Sequence, residues 1–289
     1  MTSNPPQWRV ATDTSAVGMA ARLPAEAPAT FAELRRALER GQFELYYQPR
    51  IELASRRILG AEAFIRWHLP GRGMLSPASF IPVAEEIGLI GPISQWVLNT
   101  ACAQNKRWLE AGLEPVVSVN ISPQQFRGEG LVPMIEVALS EARMPACYLE
   151  LEITESAVTH ADERTVEVLH ATKKLGVRVA IDNFGTGHSS LSYLKRFPVD
   201  RLKVDRSFVQ HIAADTDDAA IVRMIIALGH NLGLKVVAEG VESEDQLEFL
   251  RLNSCDELQG FYFSKPLSAW RMGKLLLRNS ARNAMERSA

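Results

Sequence analysis

Hydrophobic and polar residues follow two different periods along this chain, and segments of the two kinds take turns. Short runs rich in Val, Ile, Leu and Tyr predict strands at 43–53, 56–67, 116–122, 147–154, 177–184, 201–205, 235–241 and 257–263. Stretches with a helical period and capping residues predict helices at 30–39, 77–88, 93–111, 131–142, 162–175, 189–196, 217–232 and 243–252. Such alternation with short links is typical of a parallel sheet covered by helices, and about eight strands favour closure into a (β/α)₈ barrel. The first two strands are interpreted as a hairpin.

The two ends of the chain lack this pattern. Residues 1–29 are rich in Pro, Ala, Thr and Ser and predict a flexible leader or linker, and 276–289 predict a polar tail. One domain is therefore expected over 30–275. No segment approaches the ~20 apolar residues of a membrane helix, and the charged start and apolar run of a secretory signal are missing. We therefore expect a cytoplasmic protein without a membrane segment.

Composition narrows the class of ligand. The chain is 46% hydrophobic and 23% charged, which suits a large soluble core. A net charge of −2 with a pI near 6.3 gives no basic surface for duplex nucleic acid. A small anionic ligand held through metal ions remains compatible with that balance. Cys102, Cys147 and Cys255 lie far apart without the spacing of a metal site, so reduced thiols are expected.

Acidic or amide residues recur where the apolar strand-like runs end. They are Glu62, Asn120, Glu152, Asp182 with Asn183, and Glu239. A carboxylate beside a buried strand is costly to desolvate unless it meets a proton, a cation or a metal. Because the carboxyl ends of parallel strands meet at one edge, the recurrence predicts one shared polar site there.

These residues belong to an ordered series of motifs spanning about 31–267. The series is QPRIEL, GAEAFIRW, SVNIS, LEITES, DNFGTGHSSLSYL, LKVD, VVAEGVE and QGFYFSKPL. It resembles the EAL domains, the bacterial cyclic di-GMP phosphodiesterases. The resemblance implies a TIM-like barrel whose first strand is antiparallel to the rest, which agrees with the hairpin. It also implies hydrolysis of cyclic di-GMP to linear pGpG with two Mg²⁺ or Mn²⁺ ions.

The resemblance also implies roles for individual residues. The first ion would be held by Glu62, Asn120, Glu152 and Asp182. Asp182 would bridge to a second ion, completed by Asn183 and Glu239. Hard Mg²⁺ takes such oxygen ligands, and two ions roughly 3.5–4 Å apart can bind the nucleophile and the scissile phosphate together. Glu239 serves either as a ligand or as a general base. Lys203 either orients the attacking water and stabilises developing negative charge, or only forms an ion pair with a carboxylate.

By the same comparison, Gln48, Arg66 and Gln259 would contact the dinucleotide. The planar fork of Arg66 suits a phosphate, whereas the plainer interpretation is a surface cation stacked on Trp67. Glu155 matches a glutamate that steadies the loop DNFGTGHSS through hydrogen bonds, and in the family this loop couples the metal site to a homodimer interface. The plainer interpretation of Glu155 is an exposed carboxylate at a helix start.

Three positions depart from the family. Phe64 replaces a leucine and is expected to face the core, and His188 replaces a loop tyrosine. Asn183 replaces an aspartate, so it keeps a ligating oxygen but brings no charge. A unit pair about 4 Å apart is worth about 4 kcal/mol at an effective dielectric near 20, which bounds the loss of second-ion affinity at roughly a thousandfold.

Charge counting leaves two functional classes. The four carboxylates contribute −4, Lys203 +1 and two ions +4, giving +1 where an aspartate at 183 would give 0. An anionic ligand is still attracted, while the second ion is held less firmly. The chain is then either a phosphodiesterase, slow or preferring Mn²⁺, or a degenerate domain that binds cyclic di-GMP or a partner protein without hydrolysis. An unrelated TIM-barrel metalloenzyme would explain the carboxylates but not the ordered motifs.

Overall fold

The computed structural model describes residues 30–128, 130–159, 161–187, 194 and 196–286. Its strands are β1 (Phe43–Glu52), β2 (Ile58–Leu69), β3 (Gly73–Leu75), β4 (Val116–Asn120), β5 (Leu149–Thr154), β6 (Arg178–Phe184), β7 (Arg201–Val204), β8 (Lys235–Ala238), β9 (Glu257–Leu258) and β10 (Leu267–Ser268). Its helices are α1 (Phe31–Glu39), α2 (Ile81–Glu86), α3 (Ile90–Glu110), α4 (Leu131–Ala142), α5 (Glu155–Thr159), α6 (Glu163–Lys174), α7 (Arg206–Val209), α8 (Thr216–Asn231), α9 (Glu244–Leu252) and α10 (Ala269–Glu286). Short 3₁₀ turns lie at Pro77–Ser79, Pro123–Arg127 and Ala146–Tyr148.

The sheet closes on itself as a barrel. Its order is β10-β1-β9-β8-β7-β6-β5-β4-β2-β3, and β1 also pairs with β2. Seven strands, β2 and β4 to β9, run parallel to one another, while β1 is antiparallel to β2 and β9. The predicted TIM-like barrel with an antiparallel first strand is therefore confirmed, as is the opening hairpin.

Alternation along each strand sorts side chains into an apolar outside and a polar inside. On β5, Leu149, Leu151 and Ile153 are buried against the surrounding helices, whereas Glu150 and Glu152 point the opposite way into the barrel. The same alternation places Lys203 inside and Leu202 outside on β7. The barrel interior is therefore lined by polar side chains, which must find partners there.

The predicted elements at 257–263 and 77–88 are among those that are shorter in the structure than in the sequence analysis. The last predicted strand, 257–263, ends at Leu258 because the chain turns at Gly260, where a Cβ would lie 2.1 Å from the carbonyl oxygen of Val241. The predicted helix at 77–88 divides into the 3₁₀ turn Pro77–Ser79 and helix α2.

The polar segment 276–286, predicted as a tail, continues helix α10. Met272 and Leu276 are buried, and Asn279 accepts a hydrogen bond from the amide of Ile58 at 3.0 Å. These contacts anchor the helix to the start of β2. The predicted leader 1–29 lies outside the described residues, as do most of the predicted helix 189–196 and residues 287–289 of the tail. Within the described segments, no helix combines the length and apolarity needed to cross a membrane.

Candidate active site at the carboxyl end of the barrel

Eight polar side chains, one from each strand of the barrel or the residue just beyond it, form a ring that we call the upper ring. Its members are Gln48, Glu62, Asn120, Glu152, Asp182, Lys203, Glu239 and Gln259. All eight were named from the sequence as metal, catalytic or substrate residues. The strand order of the closed barrel brings together residues that are up to 211 positions apart in the chain.

Lys203 lies at the centre of the upper ring. Its Nζ is 2.5 Å from Glu152 Oε2, 2.7 Å from Glu239 Oε1, 3.0 Å from Glu62 Oε2 and 3.3 Å from Asp182 Oδ1. The Lys203 side chain is fully buried. One cation therefore pairs with four carboxylates. The ion pair that the sequence analysis left open as an alternative role of Lys203 is present, with four carboxylate partners instead of one.

Amide side chains fix the orientation of Glu62. Asn120 Nδ2 donates to Glu62 Oε1 at 2.7 Å, and Gln259 Nε2 donates to Glu62 Oε2 at 2.7 Å. Gln259 Nε2 also lies 3.1 Å from Gln48 Oε1, and Gln48 in turn donates to the carbonyl of Ser264 at 3.0 Å. These bonds link four ring members into one network.

The carboxyl groups of the upper ring differ in pKa, because negative charges outnumber positive charges there. Burial raises the pKa of Glu239 to about 8, with further raising by Asp182 and Glu62 that Lys203 does not cancel. Burial, followed by the charge of Glu62, holds the pKa of Glu152 well above its usual range. At Glu62 burial acts in the same direction, but Lys203 and the amide donors outweigh it and lower the pKa. The ring therefore retains protons unless further positive charge reaches it.

The same surplus of negative charge keeps Lys203 in its charged form. Burial favours its neutral form, but Asp182, Glu152, Glu239 and Glu62 together hold the pKa of Lys203 well above its usual range. Lys203 is therefore a permanent cation in the described structure rather than a group that exchanges a proton near neutral pH.

Asn183 adopts a left-handed backbone conformation, with φ of 54°. Asparagine tolerates this region better than most residues. Its Nδ2 donates to Asp182 Oδ2 at 3.3 Å. Asn183 therefore occupies the position expected from the sequence, beside Asp182, and both residues line one large cavity.

The buried side chain of Glu155 contacts the neighbouring DNFGTGHSS loop. Its Oε2 accepts from the backbone amides of Gly185 at 2.7 Å and Gly187 at 3.2 Å, and the residue is only 2% exposed. This geometry fits the predicted loop-steadying role and contradicts the interpretation of Glu155 as an exposed helix-start carboxylate. His188, Ser189 and Ser190, the last part of the DNFGTGHSS loop, lie outside the described residues.

Six members of the upper ring, all except Glu152 and Lys203, line a cavity of about 970 Å³. Arg66 stands at its wall, and its guanidinium lies 5.6 Å from the ring of Phe64 and 5.9 Å from that of Tyr46 rather than over Trp67. The predicted orientation of Phe64 toward the core is wrong: Phe64 is partly exposed and lines the cavity. The reason is strand alternation, which puts Phe64 on the same face of β2 as Glu62 and Arg66.

The sequence analysis missed several other residues at the cavity wall. Glu85 and Ser122 meet there, with Ser122 Oγ donating to Glu85 Oε1 at 2.6 Å. Arg206 and Glu242 line the opposite side. Ser122 is the last residue of the motif SVNIS, and Glu242 is the last residue of VVAEGVE. Both lie just beyond a strand end, so the rule that found the other site residues could have found them. Glu85 lies in a helix far from any strand end and carried no such signal.

The donor chemistry of the upper ring suits hard divalent cations, which prefer carboxylate and carbonyl oxygens. Glu152 Oε1 is buried without a hydrogen-bond partner, and Asp182 Oδ1 has only the ammonium of Lys203 nearby. Among the residues that the structure describes, however, no three acidic, His or Cys side chains stand in a geometry that already encloses a metal ion. The oxygens are of the right type and number, but they converge on Lys203.

The match to known proteins agrees with this architecture. The family model of the EAL domain matches residues 32–266. The chain belongs to the EAL domain family. It is 45% identical over 238 residues to the bifunctional diguanylate cyclase/cyclic di-GMP phosphodiesterase MucR of Pseudomonas aeruginosa, covering 82% of this chain and 35% of that protein. It is 40% identical over 236 residues to the cyclic di-GMP phosphodiesterase PdeR of Escherichia coli, covering 82% of this chain and 36% of that protein.

A solved structure of the PaMucR phosphodiesterase in complex with c-di-GMP superposes with a TM-score of 0.81 at 44% identity, covering 83% of this chain and 98% of the other. This EAL chain therefore spans about a third of the length of the relatives that it matches by sequence, but nearly all of a solved EAL structure. Membership of the family, predicted from the motifs, is confirmed.

Proposed function

We propose that this EAL chain hydrolyses cyclic di-GMP to linear pGpG in a metal-dependent reaction at the upper ring. The observation that carries the proposal is a ring of four carboxylates with one cation, open to a cavity large enough for a dinucleotide. The relatives named for cyclic di-GMP phosphodiesterase activity and the PaMucR complex support the choice of substrate.

The proposed ligands of two Mg²⁺ or Mn²⁺ ions are ring members together with Asn183. Glu62, Asn120, Glu152 and Asp182 would hold one ion, and Asp182, Asn183 and Glu239 the other. When bound, such ions neutralise a phosphodiester and lower the pKa of bound water. Asn120 now donates its amide nitrogen to Glu62, so its side chain has to turn to offer an oxygen.

The chain's own residues orient the substrate and manage the proton. Arg66 binds a phosphate through its planar fork, and Gln48 and Gln259 hold the dinucleotide over the ring. The oxygen of water forms a bond to phosphorus and gives up a proton, the bond from phosphorus to the 3′ oxygen breaks, and the 3′ oxygen takes up a proton in exchange. Glu239 is proposed either as a ligand of the second ion or as the general base that takes the proton given up by the water. Lys203 stabilises the negative charge that develops on the phosphate oxygens.

The test is product formation by the full chain in Mg²⁺ and, separately, in Mn²⁺, with pGpG quantified by chromatography. Glu62→Gln should abolish turnover, because it removes a charge that no neighbour replaces. Glu248→Gln is the matched control, since Glu248 pairs with Arg251 on the exposed surface. No pGpG from the unaltered chain with either metal would overturn the proposal and leave a cyclic di-GMP receptor, which direct binding of the dinucleotide would then establish.

Asn183→Asp should raise turnover, because it restores a charge at the second ion. The gain has an upper bound of roughly a thousandfold and should shrink as Mn²⁺ approaches saturation. An unchanged rate at limiting Mn²⁺ would show that position 183 does not limit metal loading.

We further propose that the chain works in the cytoplasm and forms a homodimer through the region of the DNFGTGHSS loop. The cysteines Cys102, Cys147 and Cys255 are all free, which suits a reducing compartment. Light scattering at several protein concentrations tests the dimer, and a constant monomer mass would refute it.

A further inference from the structure

The position of Lys203 has a consequence for metal loading. Its ammonium contacts Glu62, Glu152, Asp182 and Glu239 at once, at 2.5 to 3.3 Å. An oxygen-ligated Mg²⁺ ion needs the same kind of carboxylate oxygen at about 2.0–2.1 Å. An ammonium and a dication therefore compete for one set of oxygens.

We infer that Lys203 is an internal counter-ion, which a metal ion has to displace from the carboxylates as it binds to the upper ring. The inference rests on the proposed metal-dependent function and deepens it, because it says what sets the metal affinity of the site. Lys203 thereby has a role before chemistry begins, in addition to any role during it.

Geometry argues for displacement rather than simple addition. Glu62 Oε2 is shared between Lys203 and Gln259, and Glu62 Oε1 is held by Asn120. Glu62 Oε2 already accepts from two donors, so an ion can bind that oxygen only if Lys203 or Gln259 withdraws. The described residues contain no ready-made metal enclosure, which agrees with oxygens arranged around an ammonium.

Charge explains why the exchange can proceed. With every carboxyl group ionised, four carboxylates and one lysine give a formal charge of −3 in a largely buried ring. Glu152 Oε1 is buried and has no hydrogen-bond partner, so one ligand oxygen is available from the start. An ion that binds there is attracted by the remaining negative charge and repels the ammonium, whose flexible stem lets it swing aside.

Lys203 therefore makes metal binding weaker than the carboxylates alone would allow. It also keeps the ring stable when metal is scarce, because buried carboxylates without a cation are costly. A site of this kind loads in proportion to the available metal rather than holding its ions permanently.

The test measures Mn²⁺ binding to the full chain without cyclic di-GMP, by calorimetry and by the electron paramagnetic resonance signal of free Mn²⁺. Lys203→Met removes the charge and retains most of the length. We expect it to bind the first Mn²⁺ at least about tenfold more tightly than the unaltered chain, because one repulsive unit charge has gone. Lys173→Met is the matched control, since Lys173 pairs with Asp200 outside the ring, and it should leave Mn²⁺ affinity unchanged.

Equal or weaker Mn²⁺ binding by folded Lys203→Met would overturn the inference and leave the proposed phosphodiesterase function untouched. Absence of Mn²⁺ binding in every variant would overturn both. If Lys203→Met does not fold, the unaltered chain decides: in a structure with Mg²⁺ bound, Lys203 Nζ should have left hydrogen-bond distance of Glu62 and at least one other carboxylate. An ammonium still in contact with all four would refute displacement.

Discussion

Two buried charge clusters lie inside the same barrel, and only one of them has unequal numbers of positive and negative groups. Beneath the upper ring, a lower cluster is formed by Arg50, Glu150, Arg201 and Glu257. Arg201 Nη1 lies 2.5 Å from Glu150 Oε2, and Arg201 Nη2 lies 3.2 Å from Glu257 Oε1. Arg50 contacts Glu150 and lies 2.8 Å from Glu257, although that second contact falls outside hydrogen-bond geometry. The lower cluster has a formal charge of 0, against −3 for the upper ring.

Strand β5 shows the difference within two residues. The pKa of Glu150 is lowered to about 2, because burial is outweighed by Arg50 and Arg201. Glu152 faces the same interior, yet burial and the charge of Glu62 hold its pKa well above the usual range. Burial is common to both positions, so the balance of neighbouring charges decides the outcome. A balanced cluster neutralises its own charges, whereas an unbalanced one attracts further cations.

The largest effect is expected from breaking the balance of the lower cluster. Glu150→Gln leaves Arg50 and Arg201 without their shared carboxylate and should destabilise the chain by about 3–5 kcal/mol, as for other buried pairs that lose one partner. Urea unfolding measures this change. Glu39→Gln, at an exposed pair with Arg35, is the control and should cost under about 1 kcal/mol. Similar losses in the two variants would mean that the lower cluster does not stabilise the fold.

A smaller effect is expected from supplying the missing charge to the upper ring. Mn²⁺ at about a hundred times its dissociation constant should stabilise the chain by about 2.7 kcal/mol, and a chelator should reverse the gain. Thermal unfolding with and without Mn²⁺ measures it. The gain should be largely lost in Asp182→Asn, and an equal gain in that variant would place the Mn²⁺ elsewhere.

The next effect concerns the fit of the lower cluster. A Cβ at Gly60 would lie 2.5 Å from the carbonyl oxygen of Val116 and 2.9 Å from Nη2 of Arg50. Gly60→Ala should therefore destabilise the chain by about 1–3 kcal/mol, through displacement of the Arg50 side chain and the β4 backbone. Gly71→Ser is a contrasting variant at the surface. Its Cβ would meet open space, so any loss of stability there comes from the positive φ rather than from a steric clash. Full stability of Gly60→Ala in urea would show that Arg50 has room to move.

The smallest effect is expected at Ser118, which joins the lower cluster as a neutral member. Its Oγ donates to Glu150 Oε1 at 3.2 Å and lies 3.4 Å from Arg50 Nη1. Ser118→Ala removes a hydrogen bond but no charge, so the loss should be about 1 kcal/mol. A loss as large as that of Glu150→Gln would mean that charge balance is not what stabilises the lower cluster.

The clusters also show how far sequence reasoning extends. Every member of the upper ring was named from the sequence, because its residues end strands or lie in family motifs. The lower cluster was not. Arg50, Glu150 and Arg201 lie two residues from Gln48, Glu152 and Lys203 on the same strands, so strand alternation predicts a second polar layer once the first is known. The same rule, applied to Glu62, would have placed Phe64 in the cavity wall.

The sequence by itself determined the order of strands and helices, the family and the chemical type of the site, because periodicity, capping and motif order are local properties of the chain. Only the tertiary structure decided that Lys203 contacts four carboxylates, that Glu155 is buried against Gly185 and Gly187, and that 276–286 continues a helix. Each of these depends on which strands become neighbours when the barrel closes. Charge balance in a buried ring is a sum over residues far apart in sequence, so it has a definite value only once the fold has brought them together.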